Sequence, residues 1–191
     1  MSRSRWFLAA IASILVLGAV ALPTALAAPG GGAGQLLVTV HPFDWKTTIG
    51  SDTTILNGLD VSLLSVTTAG EGGAGAAPDL PTSLNGRRLR LVRVEFCYDA
   101  TRGGTQTDVA MTQFLMRVDT NATGTTKTNP VAAAVDTTAR SDEACRSYNV
   151  DWVLGPGDMA AAGISVDFGT AGEYFEIGRL TFVLEPTNVP V

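Results

Sequence analysis

One histidine, two cysteines and eighteen carboxylates bound the chemistry open to this 191-residue chain. His41 is the single imidazole, so any serine or cysteine nucleophile would have only this base to draw on. It sits on the polar parity of an apolar run, directly before Pro42, and no Gly-x-Ser-x-Gly elbow occurs in the chain. His41 therefore reads as a surface or loop residue. Zinc is poorly served too, since catalytic zinc sites draw on several His or Cys ligands. Glycoside hydrolysis needs two facing carboxylates, and Glu95 with Glu176 is one pair that neighbouring strands could supply. The same spacing also describes a solvated sheet face balanced by Arg88, Arg90, Arg93 and Arg179.

Two further groupings point to binding. Asp119, Asn121 and Thr123, followed by Gly124, place oxygens at alternate positions before a sharp turn, a loose match to a calcium loop. Thr125 would add a backbone carbonyl. Pro130 stands where an EF-hand has its bidentate glutamate, and the same residues also make an ordinary hairpin loop. Asn121-Ala122-Thr123 is a glycosylation sequon as well. Phe43 and Trp45, beside Asp44 and Lys46, fall in a predicted loop and offer aromatic faces to a sugar. Tyr98 does so at a strand end, with Asp99 beside it as a further ligand-binding candidate, whereas Trp152 belongs to an apolar parity and reads as core.

The elements that must position these residues follow an export leader. Arg3 and Arg5 precede an apolar run from Trp6 to Leu22, and Pro23 and Ala25-Leu26-Ala27 supply a breaker and a cleavage site. The run falls short of the roughly 20 residues needed to span a bilayer, so residues 1–27 read as a cleaved signal peptide, with no membrane span afterwards. Cleavage removes two of the 13 basic residues while all 18 acidic ones remain. That balance argues against nucleic acid, whose binding rests on phosphate neutralisation, and against anionic membrane surfaces. Outside the cell, Cys97 and Cys145 are expected to form one disulfide, worth roughly 4 kcal/mol in the chain-entropy account.

Residues 28–34 read as a flexible Gly-rich leader and 35–191 as a single domain. Strands are expected at Leu36–Val40, Leu59–Thr67, Arg88–Tyr98, Asp108–Asp119, Arg146–Leu154, Gly163–Phe168 and Phe175–Leu184, with Asn85-Gly86 as a turn. Residues 69–81, rich in glycine and alanine, read as a mobile loop. Val131–Val135 is consistent with a strand and Ser141–Arg146 with one helical turn. The apolar parity slips between Leu91 and Val92, and again at Gly178 between Ile177 and Leu180, so a β-bulge is expected at each place. Cys97 and Cys145 fall on the polar parity, which predicts a staple on an outer face and not a bridge through the core.

About eight strands without βαβ alternation predict an all-β antiparallel sandwich, jelly-roll-like, with one disulfide. The expected function is that of a secreted, non-catalytic binding module for a glycan or other surface ligand. It would use loops at one end of the sandwich: Phe43–Trp45, Asp99–Thr107 and Asp119–Thr126. A self-assembling subunit of a surface layer or fibre, hence a homo-oligomer, is the alternative. An enzyme using a carboxylate pair is a more remote one. No cofactor is implied beyond calcium at the Asp119 loop.

Overall fold

The computed structural model describes residues 34–50, 52–58, 60–120, 127–130 and 136–191. Among these residues, twelve strands follow one another: β1 Leu36–Val40, β2 Lys46–Ile49, β3 Thr53–Asn57, β4 Ser62–Val66, β5 Gly70–Ala76, β6 Ser83–Leu84, β7 Arg87–Asp99, β8 Val109–Thr120, β9 Lys127–Pro130, β10 Glu143–Val153, β11 Met159–Phe168 and β12 Tyr174–Pro190. They build two antiparallel sheets. Sheet A runs β10-β7-β12-β4-β3, with β1 also pairing β12 and β6 pairing β7. Sheet B runs β2-β5-β11-β8-β9. The chain changes sheet repeatedly, so most neighbours in a sheet are distant in sequence, as in a jelly-roll-like sandwich. The expected fold class and architecture are found.

The core forms where the inward parities of the two sheets meet. Phe96 of β7 stacks on Phe114 of β8 across the sandwich, with ring centroids 5.2 Å apart. Phe96 also touches Trp45 and Tyr98, each at 5.6 Å. Tyr98 continues to Phe175, and Phe114 to Tyr148. Such pairs add to the area term because ring edges and faces carry opposite partial charge.

Both expected bulges are present. Val183 pairs with Arg93 and Leu184 with Leu91, so β7 carries one extra residue at Val92. Ile177 pairs with Tyr98 and Leu180 with Phe96, so β12 carries its extra residue at Gly178-Arg179. A third bulge lies on β8, where Met111 and Gln113 face Val166 and Ser165. Asn85-Gly86 makes the β6–β7 turn with positive φ at both residues, 51° and 74°. Cys145 lies directly opposite Cys97 in register, and the disulfide clamps strand β10, at the end of sheet A, on the outer face as expected.

Two readings are corrected. Residues 70–76 are not a loop but β5, hydrogen-bonded between β2 and β11. The reason is steric. A Cβ on Gly72 would lie 2.9 Å from Val66 Cγ1 and 3.2 Å from the Phe168 ring, so the strand's smallness is what lets the core close over it. Ser141–Arg146 is not a helical turn, because β10 begins at Glu143, paired with Asp99. Val131–Val135 lies outside the described residues.

Packing at Gly72 and at Gly163 should respond in opposite ways. Gly72→Ala is expected to cost about 1–3 kcal/mol in urea unfolding, because Val66 is β-branched and cannot swing aside. A Cβ on Gly163 meets only Ala74 O, at an ordinary 3.6 Å. Gly163→Ala should therefore stay within about 0.5 kcal/mol of wild type.

Candidate functional site

The outer face of sheet B is concave because of the residue sizes on its strands. Its central strands present small groups outward: Gly75 on β5, and Ala161, Gly163 and Ser165 on β11. The flanking strands present long ones: Gln113, Leu115 and Arg117 on β8, and Lys46 and Thr48 on β2. Register aligns them in rows across the sheet. Lys46, Gly75, Gly163 and Leu115 form one row, and Ser165–Gln113 and Ala161–Arg117 lie on either side of it. Low centre and raised flanks make a trough. Its volume is about 830 Å³, and it continues past Val38 of β1 to Phe43, Asp44 and Asp79. Outward residues on one strand repeat about every 7 Å, so three rows give a floor long enough for a few sugar rings.

Phe43 stands at the rim of this trough and is 46% exposed. It belongs to a short 3-10 turn, Pro42–Asp44, that carries the chain from β1 in sheet A to β2 in sheet B. His41 caps the turn: its Nδ1 accepts from the Phe43 backbone N–H at 3.3 Å, and the two rings touch at 4.5 Å. His41 is exposed, as expected of a loop residue.

The other aromatic candidates face inward. Trp45 is 2% exposed and packs on Phe96, because the turn that exposes Phe43 sends the residue two positions later between the sheets. Tyr98 is 4% exposed, and its hydroxyl donates to Asp142 and accepts from Arg146 Nε, both at 2.8 Å. Burial raises its ionisation above the usual phenol range. Neither ring can stack on a ligand. Asp99 is occupied as a loop cap, accepting backbone N–H bonds from Thr101, Arg102 and Gly103 at 2.6–3.0 Å. Burial works to raise this carboxyl, but the hydrogen bonds from Thr101, Gly103 and Arg102 outweigh it and hold it below its ordinary value.

The three loops do not gather at one end. Asp99–Thr107 leads into the start of β8, and Asp119 lies at that strand's far end, opposite Met159. Of the calcium candidates, only the Asp119 backbone is placed; Asn121, Thr123 and Thr125 lie outside the described residues. Among the described residues, no group of three or more His, Cys, Asp or Glu is arranged to hold a metal. The carboxylate pair fails on register. Glu95 faces Thr181 and is ion-paired with Arg93 at 3.0 Å, while Glu176 faces Asp99.

Glu143, Asp99 and Glu176 instead form a row of like charges across β10, β7 and β12, beside the disulfide. Burial first, and then the charges of Asp99 and Glu143, raise the Glu176 carboxyl against the pull of Arg102.

No family model matches the chain, and no curated protein matches it. Among solved structures, similarity is found to the module pair of a Clostridium thermocellum endo-1,4-β-D-xylanase 10B, a family 22 carbohydrate-binding module with its GH10 module, complexed with xylohexaose. The identity is 14% and the TM-score 0.46, over 80% of this chain and 28% of that one. This chain thus spans little more than a quarter of that polypeptide. The C-terminal family 22 module of the same enzyme gives 13% and 0.41, over 78% and 89% of the two chains. The C. thermocellum family 11 module gives 11% and 0.42, over 81% and 97%. All three scores lie below 0.5, so fold and groove rest on the chain's own geometry.

The carboxylate row makes a pH prediction. A carboxyl raised by folding penalises the folded state once ionised, and the penalty disappears as pH falls through the folded and then the unfolded ionisation range. Glu176→Gln should therefore raise the thermal midpoint at pH 7. That gain should vanish below the ordinary carboxylate range of about pH 4, as followed by circular dichroism.

Proposed function

We propose that this protein is a secreted, non-catalytic module that holds a single glycan chain in the trough on the outer face of sheet B. One observation carries the reading: along the trough the two central strands bear only Gly, Ala and Ser outward, between flanks bearing Gln113, Leu115, Arg117 and Lys46. A flat floor of small groups suits the C–H face of a sugar, and the flanks supply donors and acceptors for its hydroxyls. Phe43 adds an aromatic edge. A trough with one rim aromatic suits a lone chain better than a crystalline surface, which would call for a flat platform. The leader at 1–27 and the Cys97–Cys145 bridge support an extracellular location.

Ala161→Trp tests the reading, because that side chain points into the trough and away from the core. Binding to soluble polysaccharide in affinity electrophoresis should fall at least about tenfold with the melting temperature unchanged. Phe43→Ala should weaken binding about two- to tenfold, the range of one aromatic contact. Retention of full binding by Ala161→Trp would remove the trough from consideration.

Self-assembly is the second reading, because β10, eleven residues long, pairs among the described residues with β7 alone. The bulge between Asn149 and Trp152 and the charge of Asp151 oppose pairing along that edge. A mass measurement across a concentration series should give a monomer; steady growth with concentration would favour assembly instead.

A further inference from the structure

Resting on the trough reading, we infer that the site selects uncharged glycan chains and rejects both acidic and amine-bearing ones. Charges of both signs line the same trough. Asp44 and Asp79 lie towards its Phe43 end, while Lys46 on β2 and Arg117 on β8 flank the floor. Lys46, Asp44 and Asp79 make no ion pair among the described residues, so their charges are not spent on one another. A hydroxyl can donate to a carboxylate and accept from an ammonium or guanidinium, so an uncharged polyol satisfies every one of these groups.

A charged sugar cannot do this. A uronate chain carries a carboxylate on each ring, and a chain filling the trough brings some of them against Asp44 and Asp79. An amino-sugar chain likewise brings ammonium groups against Lys46. Each repulsion acts in a site that the ligand itself partly dries, where screening is weaker than in bulk water. Favourable contacts to one sign are cancelled by clashes with the other, so specificity comes from what is excluded as much as from what is held. The floor carries no charge at all: Gly75, Ala161 and Gly163 offer only contact to apolar C–H faces.

The experiment uses oligosaccharides of equal length on one backbone: a cello-oligosaccharide, its glucuronate counterpart oxidised at the primary carbon, and a chitosan oligosaccharide, at about pH 6 so that the amines are charged. Calorimetric titration of the whole protein should show the uncharged member binding at least about tenfold more tightly than either charged one. Asp44→Asn with Asp79→Asn should improve binding of the glucuronate member severalfold, and Lys46→Gln that of the chitosan member. Equal affinity for all three, abolished by Ala161→Trp, would overturn the charge selection and leave the trough intact. Binding that survives Ala161→Trp, or no binding of any member, would overturn the trough reading and the inference with it.

Discussion

The close approach of β5 and β11 in the middle of sheet B is the constraint from which the rest follows. These strands pair from Ala162–Ala76 to Phe168–Gly70 with almost no side chain larger than a methyl on β5. Inward, the absence of a Cβ at Gly72 lets Val66 and Phe168 close over the strand. Outward, the absence of side-chain bulk at Gly75 and Gly163 leaves the trough. One run of glycine and alanine therefore serves two surfaces at once. A larger residue on either parity would be felt on only one of them. Glycine is costly in a strand because it loses most freedom on folding. Its presence here, fully paired, calls for a steric reason, and the two faces supply it.

What holds this lean strand in place is the rest of the sandwich. Phe96 and Phe114 join the sheets at their centre, and Trp45 plugs the side where the chain crosses from β1 to β2. The bulges at Val92 and Gly178 add twist to sheet A, and the one at Thr112 adds twist to sheet B. The disulfide acts elsewhere, fastening β10 to β7 on the opposite sheet, so the staple and the trough lie on different outer faces. Glu176, in a row with Glu143 and Asp99 on the disulfide's face, carries a local cost that acidification relieves.

Legibility from sequence follows side-chain size. The bulges at Leu91–Val92 and Gly178 are readable because large apolar residues on both sides mark the parity and its slip. The outward disulfide is readable for the same reason. β5 is not: glycine and alanine carry no periodic signal, and only the neighbours that close over them reveal a strand. Trp45 and Phe43 differ by two positions in one short segment, and nothing local says which turns inward. That choice is made by the crossing from β1 to β2 and by Phe96, which is distant in sequence. Gln113 and Arg117 appear as the polar parity of a strand, but their role depends on the small residues of β11 beside them, a fact of register.

The most direct test is a map of amide chemical shifts while a neutral oligosaccharide is titrated into the isotope-labelled protein. Saturable shifts are expected to cluster at Gly75, Ala161, Gly163 and Gln113, on the outer face of sheet B. Shifts clustered instead at Cys97, Ser147 and Asn149, on the outer face of sheet A, would contradict it.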